Sequence, residues 1–436
     1  MQPDQQAVEL NETITAANPH VFAMLSDKGR SIFFPKRGIL SQSAEAQGKE
    51  INATIGTALE DNGAPMALDA LVRQINVPNR ALFGYAPSPG KPDIRAKWKE
   101  MLAGKNPSLA GAPISLPVVT SALTHGLSMA AYLFAGKNDT IIMPDLYWEN
   151  YDLVFTQAHG ARIKTFPMFK SGGFNIDGLS KTLSRSKPGK KIVLLNFPNN
   201  PTGYTCTEAE GVALRDLLVS TAEAGNDVVV LVDDAYFGLV FEEGIMKESL
   251  FAKLASAHER LLAVKFDGPT KEDYVWGFRI GFVTFGCGKN SPALYSALEA
   301  KLAGAIRGNI SNASNVGQTL LMTAYSDTGY DSERAEKYGI LKRRFDKMKE
   351  VFAAHREYAK VFVPLPYNSG YFMCVRIKSG DAEAVRQQLL KQYSTGVIAF
   401  GSIIRIAFSA TPISMIEKLM ANIYAAALDV RGPSAA

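Results

Sequence analysis

Three short stretches carry side chains able to do chemistry, and each follows an apolar run. After Ile192–Asn196 comes Phe197-Pro198-Asn199-Asn200-Pro201-Thr202-Gly203. After Val228–Val232 comes Asp233-Asp234-Ala235-Tyr236. After Leu261–Phe266 comes Gly268-Pro269-Thr270-Lys271, and Arg279-Ile280-Gly281 begins eight residues past that lysine. Taken alone, each has a plain reading. Asn-Pro and Thr-Gly form turns, either aspartate can cap a helix, and a single lysine is ordinarily a solvated charge. Two features resist that reading. An acid ending a buried apolar strand is costly without a partner. Arg405, in Ile404-Arg405-Ile406-Ala407, is a lone cation in a short apolar run and calls for an anion beside it.

The elements that must position these groups are legible in the hydropathy pattern. Strands are expected at Pro117–Thr120, Thr140–Met143, Ala161–Thr165, Ile192–Asn196, Val228–Asp233, Leu261–Phe266 and Arg279–Phe285. Several are continuous Val/Ile/Leu runs, as in strands covered on both faces. Helical patterns lie between them, for example Leu123–Phe134 and Thr207–Ala224. This is an α/β arrangement with a mostly parallel sheet. In such sheets ligands bind past the carboxyl ends of the strands, which is where the three stretches fall. The C-terminal part reads as α+β, with a helix from about Asp331 to Tyr358, strands at Tyr371–Ile377 and Ile403–Phe408, and helices at Ala382–Gln392 and Ile413–Leu428. Met1 to about Ile55 reads as irregular, and Arg431 to Ala436 as a frayed end.

Composition narrows the classes. A chain of 436 residues, 47% hydrophobic and 20% charged, is long enough for two hydrophobic units. The net charge of +5 is spread out, with no Lys/Arg run to track nucleic acid. Cys206, Cys287 and Cys374 form no metal-ligand spacing, and there is no HExxH, so no metal is expected. No apolar run approaches the roughly 20 residues of a membrane span, and Met1–His20 lacks a signal-peptide pattern, which points to the cytoplasm.

In order, Asn200-Pro201-Thr202-Gly203, Asp233-Asp234-Ala235-Tyr236 and Lys271 followed by Arg279-Ile280-Gly281 resemble the class I aminotransferases of pyridoxal 5′-phosphate (PLP) fold type I, the family of aspartate and aromatic aminotransferases. The resemblance runs from about Ile51 to the end. It implies a large cofactor-binding domain (61–325) with a mostly parallel seven-stranded sheet flanked by helices. A smaller α+β domain (326–436) would pack with the N-terminal segment (1–60).

The resemblance also implies roles. Lys271 matches the Schiff-base lysine, Asp233 the acid on the pyridine nitrogen, and Tyr236 and Asn200 the groups on the phenolic oxygen. Arg279 matches the phosphate arginine. Leu123 and Thr124, in Thr120-Ser121-Ala122-Leu123-Thr124-His125-Gly126, match the phosphate-cradling turn at a helix start. Trp148 is the expected stacking ring, with Tyr147 its rival, and Tyr85 matches a tyrosine reaching the phosphate from a partner subunit. Arg405 matches the α-carboxylate arginine, and Gly56 a pocket glycine. Arg307, in Arg307-Gly308-Asn309-Ile310-Ser311-Asn312, matches an arginine that reads a distal carboxylate across a dimer interface. Gly268 and Thr270 stand where the family usually has serines, which shifts phosphate binding toward Thr270, Thr124 and Arg279.

The implied activity is ping-pong amino transfer between an L-amino acid, of aspartate/glutamate or aromatic type, and a 2-oxo acid, by a homodimer. A carbon–sulfur lyase or cyclopropane-carboxylate synthase type shares the same cofactor residues. A PLP-binding regulator would need a DNA-binding segment, for which Met1–His20 is too short and too acidic. A nicotinamide dehydrogenase is excluded because no strand here leads into GxGxxG.

Overall fold

A computed structural model of the chain describes residues 4–25, 27–33, 39–73, 83–378 and 381–431. The seven expected strands form one sheet: β1 (Val118–Thr120), β2 (Thr140–Pro144), β3 (Arg162–Phe166), β4 (Lys190–Asn196), β5 (Asp227–Asp233), β6 (Leu261–Asp267) and β7 (Gly281–Cys287). Their spatial order is β1-β7-β6-β5-β4-β2-β3. All neighbours pair in parallel except β7, which runs antiparallel to both β1 and β6.

The continuous apolar runs have the predicted cause. Val228, Val230 and Val232 of β5 pack into one core with Leu195, Leu214 and Phe251, while Val229 and Leu231 pack on the opposite side with Leu127, Phe155 and Phe266. Both faces are covered, so neither set of alternating positions can be polar. β7 begins two residues later than the pattern suggested. Arg279 adopts a left-handed conformation (φ 54°), which takes it out of the extended chain before Gly281.

C-terminal to these elements, a 25-residue helix (Tyr330–Ala354) leads into a second, antiparallel sheet. Its strands are β8 (Phe362–Pro364), β9 (Phe372–Ile377), β10 (Ile398–Phe400) and β11 (Ile403–Ala407), in the order β8-β9-β11-β10. The helices Ala382–Gln392 and Ile416–Arg431 pack with them, their buried Val385, Leu389, Leu419 and Ile423 joining one core. The expected fraying past Arg431 concerns residues outside those described.

The irregular N-terminal segment needs correcting. It holds helices at Gln5–Ala17, Pro19–Met24, Asp27–Ser31 and Ile39–Glu45. Most are short, with few buried positions, so the apolar periodicity that marks a helix is weak in them. Asp4 caps the first by accepting from the Gln6 N–H. The segment is tied to the C-terminal sheet. Ile51–Asn52 pairs in parallel with Thr395–Gly396, Gln42 exchanges two hydrogen bonds with the Ala399 backbone, and Glu45 pairs with the buried Arg386 at 3.0 Å.

Candidate active site

The carboxyl ends of β4, β5 and β6 open into a cavity of about 640 Å³. Eleven of the expected site residues line it: Gly56, Leu123, Thr124, Trp148, Asn200, Asp233, Tyr236, Thr270, Lys271, Arg279 and, from β11 on the far side, Arg405. Local chemistry explains the convergence. Asp233 is the last residue of β5, and its Oδ1 accepts from the Ala235 N–H at 3.1 Å. That side chain-to-backbone bond turns the chain and aims Tyr236 into the cavity; neither aspartate caps a helix. Gly203 permits the turn after β4. It has φ 70°, and a Cβ there would lie 1.9 Å from the Phe372 carbonyl oxygen.

Asp233 is buried and well supplied with donors. The Tyr151 hydroxyl donates to its Oδ2 at 2.6 Å, and Asn196 Nδ2 donates to its backbone carbonyl at 2.8 Å. Burial pushes the carboxyl upward, and the Tyr151 bond, Lys271 and the Ala235 N–H oppose that rise. Lys271 sits opposite, its Nζ 5.1 Å from the centre of the Tyr236 ring. Burial pulls its amine down to about 8, with Asp233 opposing and Arg279 adding to the fall. The Tyr371 hydroxyl fixes the Lys271 backbone by donating to its carbonyl at 2.8 Å. Tyr236 hydrogen-bonds the Asn200 side chain.

Arg405 is 3% exposed. Its Nη1 donates to Asn200 Oδ1 at 3.3 Å and its Nη2 to the Thr54 carbonyl at 3.1 Å, and the guanidinium lies 4.3 Å over the Phe372 ring. Its Nε has no partner although buried. A buried guanidinium with neutral acceptors and an orphaned N–H is a ready receptor for a carboxylate.

At the opposite end, the helix Ala122–Phe134 presents its first turn to the cavity with no side-chain cap from Ser121. Nearby, Thr270 Oγ1 and Trp276 Nε1 are buried without partners. Gly281 permits this crowding, since a Cβ on it would come within 2.7 Å of Ala122 and 2.9 Å of the Leu123 nitrogen. Free helix N–H groups, an orphaned hydroxyl, an orphaned indole N–H and Arg279 together suit a phosphate dianion. A carboxylate for a ring nitrogen, an amine for a carbonyl carbon and an anion cradle are the donor set PLP requires, so the residues present fit that group.

The structure decides between the rival aromatics as lining groups. Trp148 lines the cavity, whereas Tyr147 turns its hydroxyl to Asp152 Oδ2 at 3.0 Å and is not part of the lining. Two expected residues are not brought into the cavity. Tyr85 is 92% exposed. Arg307 lies exposed near the end of the helix Pro292–Asn309, its Nη1 donating to Ser311 Oγ at 3.0 Å. Both lie on one surface, where Asn315 donates to the Gly84 carbonyl and Ser88 to the Ser311 carbonyl. Tyr151 and Trp276 were missed by sequence reasoning. Tyr151 follows Trp148 in an aromatic segment that reads as core, and Trp276 follows Lys271 in a loop, so neither carries a signal of its own.

A sequence profile of the aminotransferase class I and II family matches residues 49–423. The chain belongs to the class I and II aminotransferases. Among curated relatives it is 28% identical over 249 residues to an aspartate aminotransferase, cytoplasmic isozyme 2, of Arabidopsis thaliana, covering 55% of this chain and 58% of that protein. To the aspartate aminotransferase of Escherichia coli it is 24% identical over 322 residues, covering 72% of this chain and 78% of that protein. The chain thus spans little more than half the length of some of the relatives it matches. Its fold is that of an aminotransferase from Anaerococcus prevotii, at TM-score 0.81 and 24% identity over 92% of this chain and 98% of that one. An aromatic amino acid aminotransferase from Burkholderia cenocepacia matches at TM-score 0.73 and 20% identity, covering 92% of this chain and 98% of that one. The family's cofactor is PLP, for which the cavity has the donor set.

Proposed function

We propose that this chain is a PLP-dependent aminotransferase moving an amino group between an L-amino acid and a 2-oxo acid. The observation that carries this reading is the placing of Lys271 and Asp233 in one cavity with a buried, incompletely bonded Arg405. When bound, PLP supplies an electron-withdrawing ring that acidifies the Cα–H of an attached amino acid.

The chain's residues do the rest. The Asp233 carboxylate would hold a proton on the ring nitrogen, and the Tyr151 hydrogen bond favours its ionised form and orients it. Lys271, its amine lowered to about 8, offers a larger neutral fraction near neutral pH than an ordinary lysine. With the cofactor bound, its Nζ would be the group that holds and moves the proton of the substrate Cα. Arg405 holds the α-carboxylate by its paired N–H groups and thereby sets which Cα bond faces Lys271. Tyr236 and Asn200 would hold the cofactor's phenolic oxygen, and Trp148 would line its ring. Thr124, Thr270, Arg279 and the helix start would hold its phosphate.

The same reading makes the active form a homodimer, with Tyr85 and Arg307 of one protomer completing the site of its partner. Their shared exposed surface supports this. It assigns residues 61–325 to a cofactor-binding domain and 326–436, with 1–60, to a smaller one. Three free cysteines suit a reducing cytoplasm.

Incubating the PLP-loaded protein with glutamate tests the reaction class. Amino transfer yields 2-oxoglutarate and the amine form of the cofactor, one turnover per site. A carbon–sulfur lyase instead releases ammonia and pyruvate from cystathionine-like substrates and leaves the cofactor unchanged.

A further inference from the structure

Lys265 lies two residues before the end of β6 and is 0% exposed. Lys265 and Asp267 alternate with Phe266, so they leave β6 on the sheet face opposite the one Asp233 shares with Phe266. There Lys265 forms a close ion pair with Asp234 and a longer one, 3.4 Å, with Asp267. Its ammonium also lies 4.5 Å over the Phe237 ring. Asp234 further accepts from Ser249 Oγ at 2.5 Å, and Asp267 from Trp98 Nε1 at 3.0 Å. The Asp234 N–H in turn donates to the Phe266 carbonyl at 2.9 Å. None of these charged groups lines the cavity.

Asp233 and Lys271, close to them in the chain, do. Asp234 is bonded to Asp233, and Asp267 stands four residues before Lys271. The strand that presents the acid and the strand that leads to the amine are therefore joined by the buried Lys265–Asp234 pair, with Asp267 on Lys265's own strand as its second partner. A buried ion pair is a weak source of net stability, because desolvation offsets its attraction. It does, however, fix geometry: any relative slip of the two strand ends leaves a buried charge unpaired, which is strongly disfavoured.

We infer that Lys265 is a positioning residue that sets the placement of Lys271 relative to Asp233 by clamping Asp234 and Asp267 behind the sheet. This rests on the reading of Lys271 and Asp233 as the cofactor's amine and acid. A cation holding this register matters most when substrate has displaced Lys271 and the lysine is no longer tied to the cofactor. The clamp then keeps the free amine within reach of Cα.

The test uses PLP-loaded protein and the double variant Lys265→Met/Asp234→Asn. It removes both charges of the close pair, retains an acceptor for Ser249 and leaves Asp267 its indole N–H. Its melting temperature, its kcat and KM for glutamate, and the pH midpoint of the bound cofactor's absorbance are compared with wild type. Positioning predicts a kcat lower by on the order of tenfold or more with KM little changed. It also predicts a midpoint displaced by about half a pH unit or more, with the melting temperature used only to show that the variant is folded, since Asp267 loses its ion-pair partner. Wild-type kcat and midpoint in the folded double variant overturn the proposal and leave the network a packing feature. If the double variant does not fold, Asp234→Asn alone keeps the Lys265–Asp267 pair and cuts the link to Asp233; it must show the same two changes, and wild-type values overturn the proposal equally. A wild-type protein that binds no PLP overturns the underlying reading, and this inference with it.

Discussion

The Tyr151 hydroxyl donates a 2.6 Å hydrogen bond to Asp233 Oδ2 at the end of the central strand β5. Asp233 must stay ionised in a site whose burial favours its neutral form, and Tyr151 is first among the groups opposing that rise. Tyr151→Phe removes the donor without changing the ring. A hydrogen bond to a charged acceptor contributes about 1.5–3 kcal/mol. We expect PLP affinity, measured by titrating the cofactor-free protein, to fall roughly ten- to hundredfold, with a comparable loss in kcat. Unchanged affinity and kcat would separate Tyr151 from the site's electrostatics.

Arg405 is proposed to orient the substrate through its α-carboxylate. Arg405→Ala removes both paired donors and leaves a space beside Phe372. KM for every amino acid tested should rise roughly a hundredfold, about 3 kcal/mol, since the α-carboxylate is common to all. An effect confined to one substrate class would contradict the assignment.

Arg307 makes the opposite pattern. It is exposed and outside its own protomer's cavity, so it can act only from a neighbouring copy. Arg307→Ala should raise KM for aspartate and glutamate while leaving phenylalanine and alanine nearly unaffected, and light scattering should find a dimer. Equal kinetics for all four substrates, or a fully active monomer, would remove Arg307 from the site.

Lys271 gives a pH dependence with a defined sign. Its folded amine is lowered from the ordinary lysine range to about 8, so the folded protein releases that proton earlier than the unfolded chain. The rate at which the cofactor-free protein captures PLP should therefore rise with pH and level off above about 8. The same shift makes Lys271 destabilising while protonated. Its contribution to stability increases as pH climbs from about 8 toward the unfolded value, because the unfolded chain then holds more protons. A capture rate still climbing steeply toward pH 10.5, the ordinary lysine value, would contradict this.

How much of this was legible in the sequence depends on where each signal lay. The seven strands were visible because both sheet faces are apolar, and Asp233, Lys271 and Arg279 stand out where those runs stop. Arg405 stood out because a cation interrupts Ile404 and Ile406. Tyr151 did not, since an aromatic in a helical segment reads as core until its hydroxyl is seen on Asp233. Lys265 was hidden for a related reason. A lysine two residues before a strand end looks like a solvated charge, and only the pairing of β6 with β5 brings it onto Asp234. The N-terminal helices escaped because few of their positions are buried. The roles proposed for Tyr85 and Arg307 would need a second copy, which no pattern within one chain can locate.

The most direct test is to load the protein with PLP, reduce it with borohydride and map the modified peptide. One modified lysine per chain, Lys271, is expected, with no stable modification in Lys271→Ala. Modification at another lysine, or none after loading, would contradict the assignment of Lys271.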